Sequence, residues 1–364
     1  MKIKELCQWL ETIAPLAYQE PYDNSGLLCG DAAQELTGAL ICLDSTEEVI
    51  EEAIRMKCNL VIAHHPIIFS GLKKLTGRTY IERTVIKAIR NDIAIYAIHT
   101  NLDNVLSGVN ARICQVLGLK NTRILSPKKQ LLRKLVTFVP AGNAPALREA
   151  LFAVGAGQIG EYDRCSANTE VIGTFRASAS ANPAIGKRGE EHHEKETRVE
   201  VIFPAPIELR LLTALRHTHP YEEPAFDIYA LENEYKEIGS GMLGELETPL
   251  SETEFLLRAK QTLKTGCIRH TRLLGKQVRK VAVCGGSGSF LLGDAIASGA
   301  DVFLTSDYKY HQFFDADGKI VIGDVGHFES EQFTKELLFD VIREKFTTFA
   351  IHLSVTNTNP VNYL

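Results

Sequence analysis

Asn59-Leu60-Val61-Ile62-Ala63-His64-His65-Pro66 is the stretch on which the fold turns. A short apolar, β-branched run reads as a strand buried on both faces, the kind found in parallel sheets. It ends in two adjacent imidazoles. Consecutive side chains on a strand face opposite ways, so both can serve one site only where the chain leaves the sheet. Pro66 fixes that departure by holding His65 extended. Two more stretches repeat the pattern. Ile93 to Ile98 runs into His99-Thr100-Asn101-Leu102-Asp103, and Lys319 to Ile322 runs into Asp324-Val325-Gly326-His327-Phe328-Glu329-Ser330-Glu331. Open α/β sheets carry their sites beyond the carboxyl ends of the strands. Three such ends bearing imidazoles and carboxylates predict one polynuclear metal site.

Outward from these strands the chain alternates. Ala39 to Leu43 reads as a strand, Ser45 with Glu48 as a capping box before a helix, and Ile81 to Arg90 as a second helix. Lys280 to Cys284, Asp301 to Ser306 and Lys319 to Ile322 restore the same rhythm late in the chain. Alternation of this kind predicts βαβ units and a parallel or mixed sheet. Between the halves, Lys120 to Gln130 reads as a polar connector. Beyond it the chain reads as strands at Leu135–Val139, Val171–Phe175, Val199–Phe203 and Phe226–Ala230, with helices carrying Leu147 and Leu151, then Leu211 and Leu215. That βαββαβ order predicts a ferredoxin-like unit inserted in one α/β core. The expected boundaries are 1–130 and 232–364 for the two α/β halves and 131–231 for the insert. Lys187 to Glu196 is expected to be a charged loop within it.

Composition narrows the function. Apolar residues are 45% and charged residues 23%, and 40 basic and 45 acidic residues mix along the chain to a net charge of −5. That balance suits a globular protein and offers no basic stripe for nucleic acid. The first residues lack an apolar core of signal-peptide length, and no apolar run reaches membrane-spanning length. The eight cysteines sit at no ribbon or redox spacing, which predicts reduced thiols in a cytoplasmic protein.

The candidate metal ligands are His64, His65, Asp103, His327 and Glu331. His327 and Glu331 stand four apart, on one face of a helix's first turn. Each cluster alone has an ordinary structural reading, as a cap or a packed histidine. Together they exceed what one tetrahedral ion needs, and a carboxylate-bridged pair of ions uses them all. Mixed imidazole and carboxylate ligation suits zinc first, then iron, manganese or nickel, and not calcium. Asp307 and His311, again four apart, are candidate orienting or acid/base groups. Gly285-Gly286-Ser287-Gly288 could offer amides to a phosphate, or be a tight turn.

Several motifs in fixed order resemble the NIF-three-like family, the dinuclear metal-centre proteins also called GTP cyclohydrolase 1 type 2 homologues. They are Tyr22-Asp23-Asn24-Ser25-Gly26-Leu27, His64-His65-Pro66, His99 to Asp103, Gly285 to Gly288, Thr305 to His311, and Gly326-His327 with Glu331. The resemblance implies two divalent transition-metal ions per chain on His64, His65, Asp103, His327 and Glu331. It also implies a hexameric ring with its metal sites facing the cavity. The insert, including His219-Pro220-Tyr221-Glu222-Glu223-Pro224, resembles the CutA-like and PII-like ferredoxin fold. The expected function is a metal-dependent hydrolase acting on a nucleotide or other phosphorylated small molecule. The alternative is a non-enzymatic metal-binding ring whose insert senses a ligand.

Overall fold

A computed structural model describes residues 1–364. The chain forms two compact units, one of Met1–Pro127 with Lys236–Leu364 and one of Lys128–Tyr235. The first unit contains two sheets. In the five-stranded sheet, Ala94–Ala97, Leu60–Ala63, Gly38–Cys42 and Ala350–Leu353 lie side by side and parallel, with Gly26–Cys29 antiparallel at the edge. Every residue of the three central strands is buried, as their unbroken apolar runs require. Register does the positioning. Ala63 lies opposite both Cys42 and Ala97, so three strands end level and the residues after them emerge at one rim.

Helices Glu47–Arg55 and Tyr80–Arg90 bury Val49, Ile50, Ala53, Val85 and Ala88 against Leu40, Val61 and Ile95 of this sheet. Burying a Val, Leu or Ile side chain contributes about 1.5–3 kcal/mol, so this layer holds the rim rigid. The first helix begins one residue later than the Ser45 reading has it. Thr46 is the cap, its hydroxyl accepting from the amide of Val49.

The second sheet has six strands. Gln277–Ser287, Val302–Ser306 and Val321–Asp324 are parallel; Arg269–His270 and Glu234–Ser251 flank them antiparallel, and Lys120–Lys129 takes the far edge. The expected connector at 120–130 is therefore mostly a strand. Ile124 and Leu125 are buried in it, and an edge position accommodates Pro127. Thr305 pairs with Asp324, which brings the chain after each of these strands to a common rim.

The second unit runs Leu132–Pro140, Ala144–Ala153, Ala167–Arg176, Glu191–Pro204, Glu208–Thr218 and Phe226–Ala230, in the order strand, helix, strand, strand, helix, strand. Its antiparallel sheet has the spatial order Ala167–Arg176, Glu191–Pro204, Leu132–Pro140, Phe226–Ala230. Leu135, Leu147, Leu151, Val201, Phe203, Leu211 and Leu215 fill its core. The charged run 187–196 is not all loop. From Glu191 it pairs with Ala167–Arg176, because a strand whose side chains alternate between exposed and half-buried can carry charge at the exposed positions. None of the eight cysteines is disulfide-bonded, and five of them are buried. No helix is long and apolar enough to cross a membrane.

Candidate metal centre

Both rims of the first unit supply one cluster. From the five-stranded sheet come His64 and His65, just past Leu60–Ala63, then His99 past Ala94–Ala97 and Asp103 from the short helix Thr100–Asp103. From the six-stranded sheet come His327 and Glu331, at opposite ends of the one-turn helix His327–Glu331. The five ligands read from the sequence thus meet in space, and His99 joins them. Three overlapping groups have ligand atoms within 4.8 Å of one another: His64, His65 and His99; His64, Asp103 and Glu331; His65, His327 and Glu331.

Each imidazole is anchored through Nδ1. His64 donates to the carbonyl of Ile98 at 2.8 Å, His65 to Asp44 at 2.7 Å, His99 to Asp23 at 2.7 Å and His327 to Asp307 at 2.6 Å. A carbonyl or carboxylate accepts only, so the proton sits on Nδ1 and the Nε2 atoms are left to face inward. Outer partners of this kind fix ring orientation at metal sites. Glu331 lies between the rings, 2% exposed. Its Oε1 is 3.7 Å from His64 Nε2, and its Oε2 is 2.9 Å from His65 Nε2 and 3.2 Å from His327 Nε2.

Cations fit this donor set. His64 Nε2 and Asp103 Oδ1 are both buried without a hydrogen-bond partner, 3.6 Å apart. Two orphaned buried acceptors facing each other would each carry a desolvation cost of about 1–3 kcal/mol, which a cation between them removes. Burial, and then the charge of Glu331, push Asp103 up to about 7. Burial also opposes ionisation of Glu331, but His327 and His65 outweigh it and hold that carboxyl well below its usual range. In turn Glu331 and Asp44 raise His65 to about 10, and Glu331 and Asp307 raise His327 to about 11, against the opposing effect of burial. Burial opposes the ionisation of Asp23 and Asp44 as well, yet His99 and His65 hold both below the ordinary carboxylate value.

Close packing frames Glu331. Gly286 has φ +61°, and a Cβ there would stand 2.4 Å from Glu331 Oε1. The glycine-rich segment is no free-standing loop: it closes the strand Gln277–Ser287, where the register against Val302–Ser306 shifts between Val283 and Ser287. Gly285 and Gly286 give their amides to Asn110 and Ser330, and the Gly286 carbonyl accepts from Thr305 and Ser306. Asp307 and His311 separate. Asp307 adopts φ +61° and turns to His327, whereas His311 lies exposed in the 3-10 helix Tyr310–Ala316 against Tyr310 and Phe314. Their four-residue spacing therefore does not place them on one helical face, and Asp307 positions His327 instead of His311.

A cleft of about 740 Å³ opens over the cluster, lined on its apolar side by Tyr22, Phe69 and Phe290. Arg269 is the only arginine or lysine lining it; that guanidinium bonds Asp324 and the carbonyl of Tyr308. His99, Asp23 and Asp44 belong to the cluster and were passed over by the ligand reading. Asp44 follows Gly38–Cys42 as the histidines follow their strands, so the strand-end signal was present for it as well.

Residues 1–360 match the family described as Duf34/NIF3 (NGG1p interacting factor 3). A Halalkalibacterium halodurans protein named GTP cyclohydrolase 1 type 2 homolog is 37% identical over 363 residues, covering 98% of this chain and 97% of its own length. The Bacillus subtilis protein of the same name is 36% identical over 370 residues, covering 99% and 98%. The crystal structure of a Bacillus cereus protein related to NIF3 superposes with a TM-score of 0.87 at 36% identity, over 100% of this chain and 99% of that one.

Proposed function

From the premise that this chain belongs to the Duf34/NIF3 family, we propose that it holds two divalent transition-metal ions and hydrolyses a nucleotide or other phosphorylated small molecule. The observation that carries the reading is the division of Glu331, one oxygen toward His64 and the other toward His65 and His327. His64, Asp103 and Glu331, with His99 beside them, would hold one ion; His65, His327 and Glu331 would hold the other. Zinc suits the donors first, then iron, manganese or nickel. Ions held there would supply Lewis acidity toward a phosphoryl oxygen and toward water.

The chain's own groups do the rest. Asp44, Asp23 and Asp307 keep each ring's Nε2 turned inward, and Asp307 acts on the reaction only through His327. Tyr22 and Phe69, ring centroids 6.2 Å apart and both exposed, offer an apolar wall for a flat base. Arg269, the one basic residue of the lining, would meet a phosphate with a guanidinium already shared with Asp324. A hexameric ring and a CutA-like, PII-like ferredoxin identity for the second unit belong to the same proposal. The second is supported by its βαββαβ order and by the central pairing of its first and third strands.

The test is elemental analysis of the purified protein, followed by a nucleotide and phosphoester turnover screen with each metal. The proposal expects about two ions per chain and a product that disappears when Glu331 is replaced. Two ions with no product from any substrate would remove the hydrolase and leave a non-enzymatic metal-binding protein.

A further inference from the structure

The second unit has a cleft of its own, of about 680 Å³. Phe138, Ile172, Phe175 and Ile185 give it apolar walls, and Glu196 and Tyr221 give it a polar end. Glu196 is 7% exposed and has no cation within 4 Å; its partner is the Tyr221 hydroxyl, which donates to Oε1 at 2.8 Å. A buried carboxylate without a counter-charge is costly, and proteins pair such groups. The backbone has been cleared to admit it. A Cβ at Gly173 would stand 2.1 Å from Glu196 Oε2, so the strand Ala167–Arg176 carries at that point a residue that weakens strands.

The loop that the metal centre does not use completes the arrangement. His219 donates from Nε2 to the carbonyl of Phe138 at 2.9 Å and accepts from the Tyr221 amide at 3.1 Å, which sets Tyr221 over Glu196. Burial, and then Glu196, push the Tyr221 hydroxyl up, so it remains a donor. Phe175 lies against Tyr221 with ring centroids 6.0 Å apart and planes tilted by 56°, making an aromatic corner beside the carboxylate. Arg176 is the only basic residue in the lining, which also holds Glu222 and Glu223. Glu196 does not join a group of three metal-type ligands, so the arrangement does not call for a metal ion.

We propose that this cleft binds a small organic cation, a primary ammonium on an apolar or aromatic body. The ammonium meets Glu196 beneath the Phe175–Tyr221 corner, where charge-assisted hydrogen bonds and the ring faces both favour positive charge. The inference rests on the second unit alone and is independent of what the metal centre does.

Titration calorimetry on the full-length, metal-loaded protein tests it, with 2-phenylethylammonium as probe, 2-phenylethanol as its neutral isostere and phenylacetate as an anionic comparator. The ammonium should bind saturably and about tenfold or more tighter than the alcohol, the margin expected of a charged hydrogen bond. Phenylacetate should not bind. Glu196→Gln, which keeps the shape, should reduce the ammonium to the affinity of the alcohol, and Phe175→Ala should weaken both, with metal content unchanged in each variant. Equal affinity for ammonium and alcohol, binding of the ammonium unaffected by Glu196→Gln, or no binding at millimolar probe would each overturn the proposal.

Discussion

Gly286→Ala probes how tightly the fold is closed on Glu331. At φ +61° an alanine costs about 1–2 kcal/mol more than glycine. Its Cβ would also stand 2.4 Å from Glu331 Oε1 and 3.2 Å from His327 Cε1. Glu331 has little room to yield, since it is buried and its other oxygen lies 2.9 Å from His65 and 3.2 Å from His327. Overpacking of that kind costs about 1–3 kcal/mol. The total is roughly 2–5 kcal/mol, expressed partly as lost stability and partly as a displaced ligand. Gly293→Ala is the control: it sits in the helix Leu292–Ala297 with open space where its Cβ would go, so it should be neutral or slightly stabilising. Denaturant unfolding with and without chelator, alongside elemental analysis, separates the contributions. Full metal content in Gly286→Ala, with stability within about 1 kcal/mol of the parent, would refute the close packing argued for this strand end.

Three further expectations concern other parts of the molecule. Asp307→Asn keeps the left-handed conformation accessible but weakens the hold on His327 Nδ1, so metal affinity should fall about 10–100-fold, while His311→Ala should leave it unchanged; competition against a chromogenic chelator reads both. Chelation should lower the unfolding free energy, by about 2.7 kcal/mol for each site held at a hundred times its dissociation constant, as followed by denaturant titration. Buried Glu52 accepts from Ser354, Val355 and Thr356, whose hydrogen bonds outweigh burial and hold its carboxyl below the ordinary 4.5. Its stabilisation is therefore present above 4.5 and lost as pH falls toward the lower folded value. Glu52→Gln should be less stable at neutral pH and show a shallower acid loss in pH-dependent unfolding.

What the sequence disclosed was what strand ends disclose. His64, His65, His327 and Glu331 come after short buried runs, and a residue just past such a run is committed to the rim by the pleat and by the parallel register. Asp44 and His99 carry the same signal, but one residue type can cap a turn, orient a ring or bind an ion, and only distance separates those roles. The pairing of Asp307 with His311 failed for a local reason. Four-residue spacing means a shared face only in an α-helix, and Asp307 sits at φ +61° before a 3-10 helix. The strand Ala350–Leu353 joins the sheet of the first half beside Gly38–Cys42, a pairing more than 300 residues apart that no local periodicity encodes. The paired strand within the charged run 187–196 was hidden for the opposite reason, since a lightly covered strand has no need of apolar residues.

The central claim is that Glu331 is shared between two ions. Metal content should therefore be compared in Glu331→Gln, His327→Ala and Asp103→Asn, each checked for folding by circular dichroism. The account predicts about two ions in the parent, about one in each of the single-site variants, and fewer than one in Glu331→Gln. A Glu331→Gln protein that keeps its full complement of metal, or one that loses no more than His327→Ala does, would contradict it.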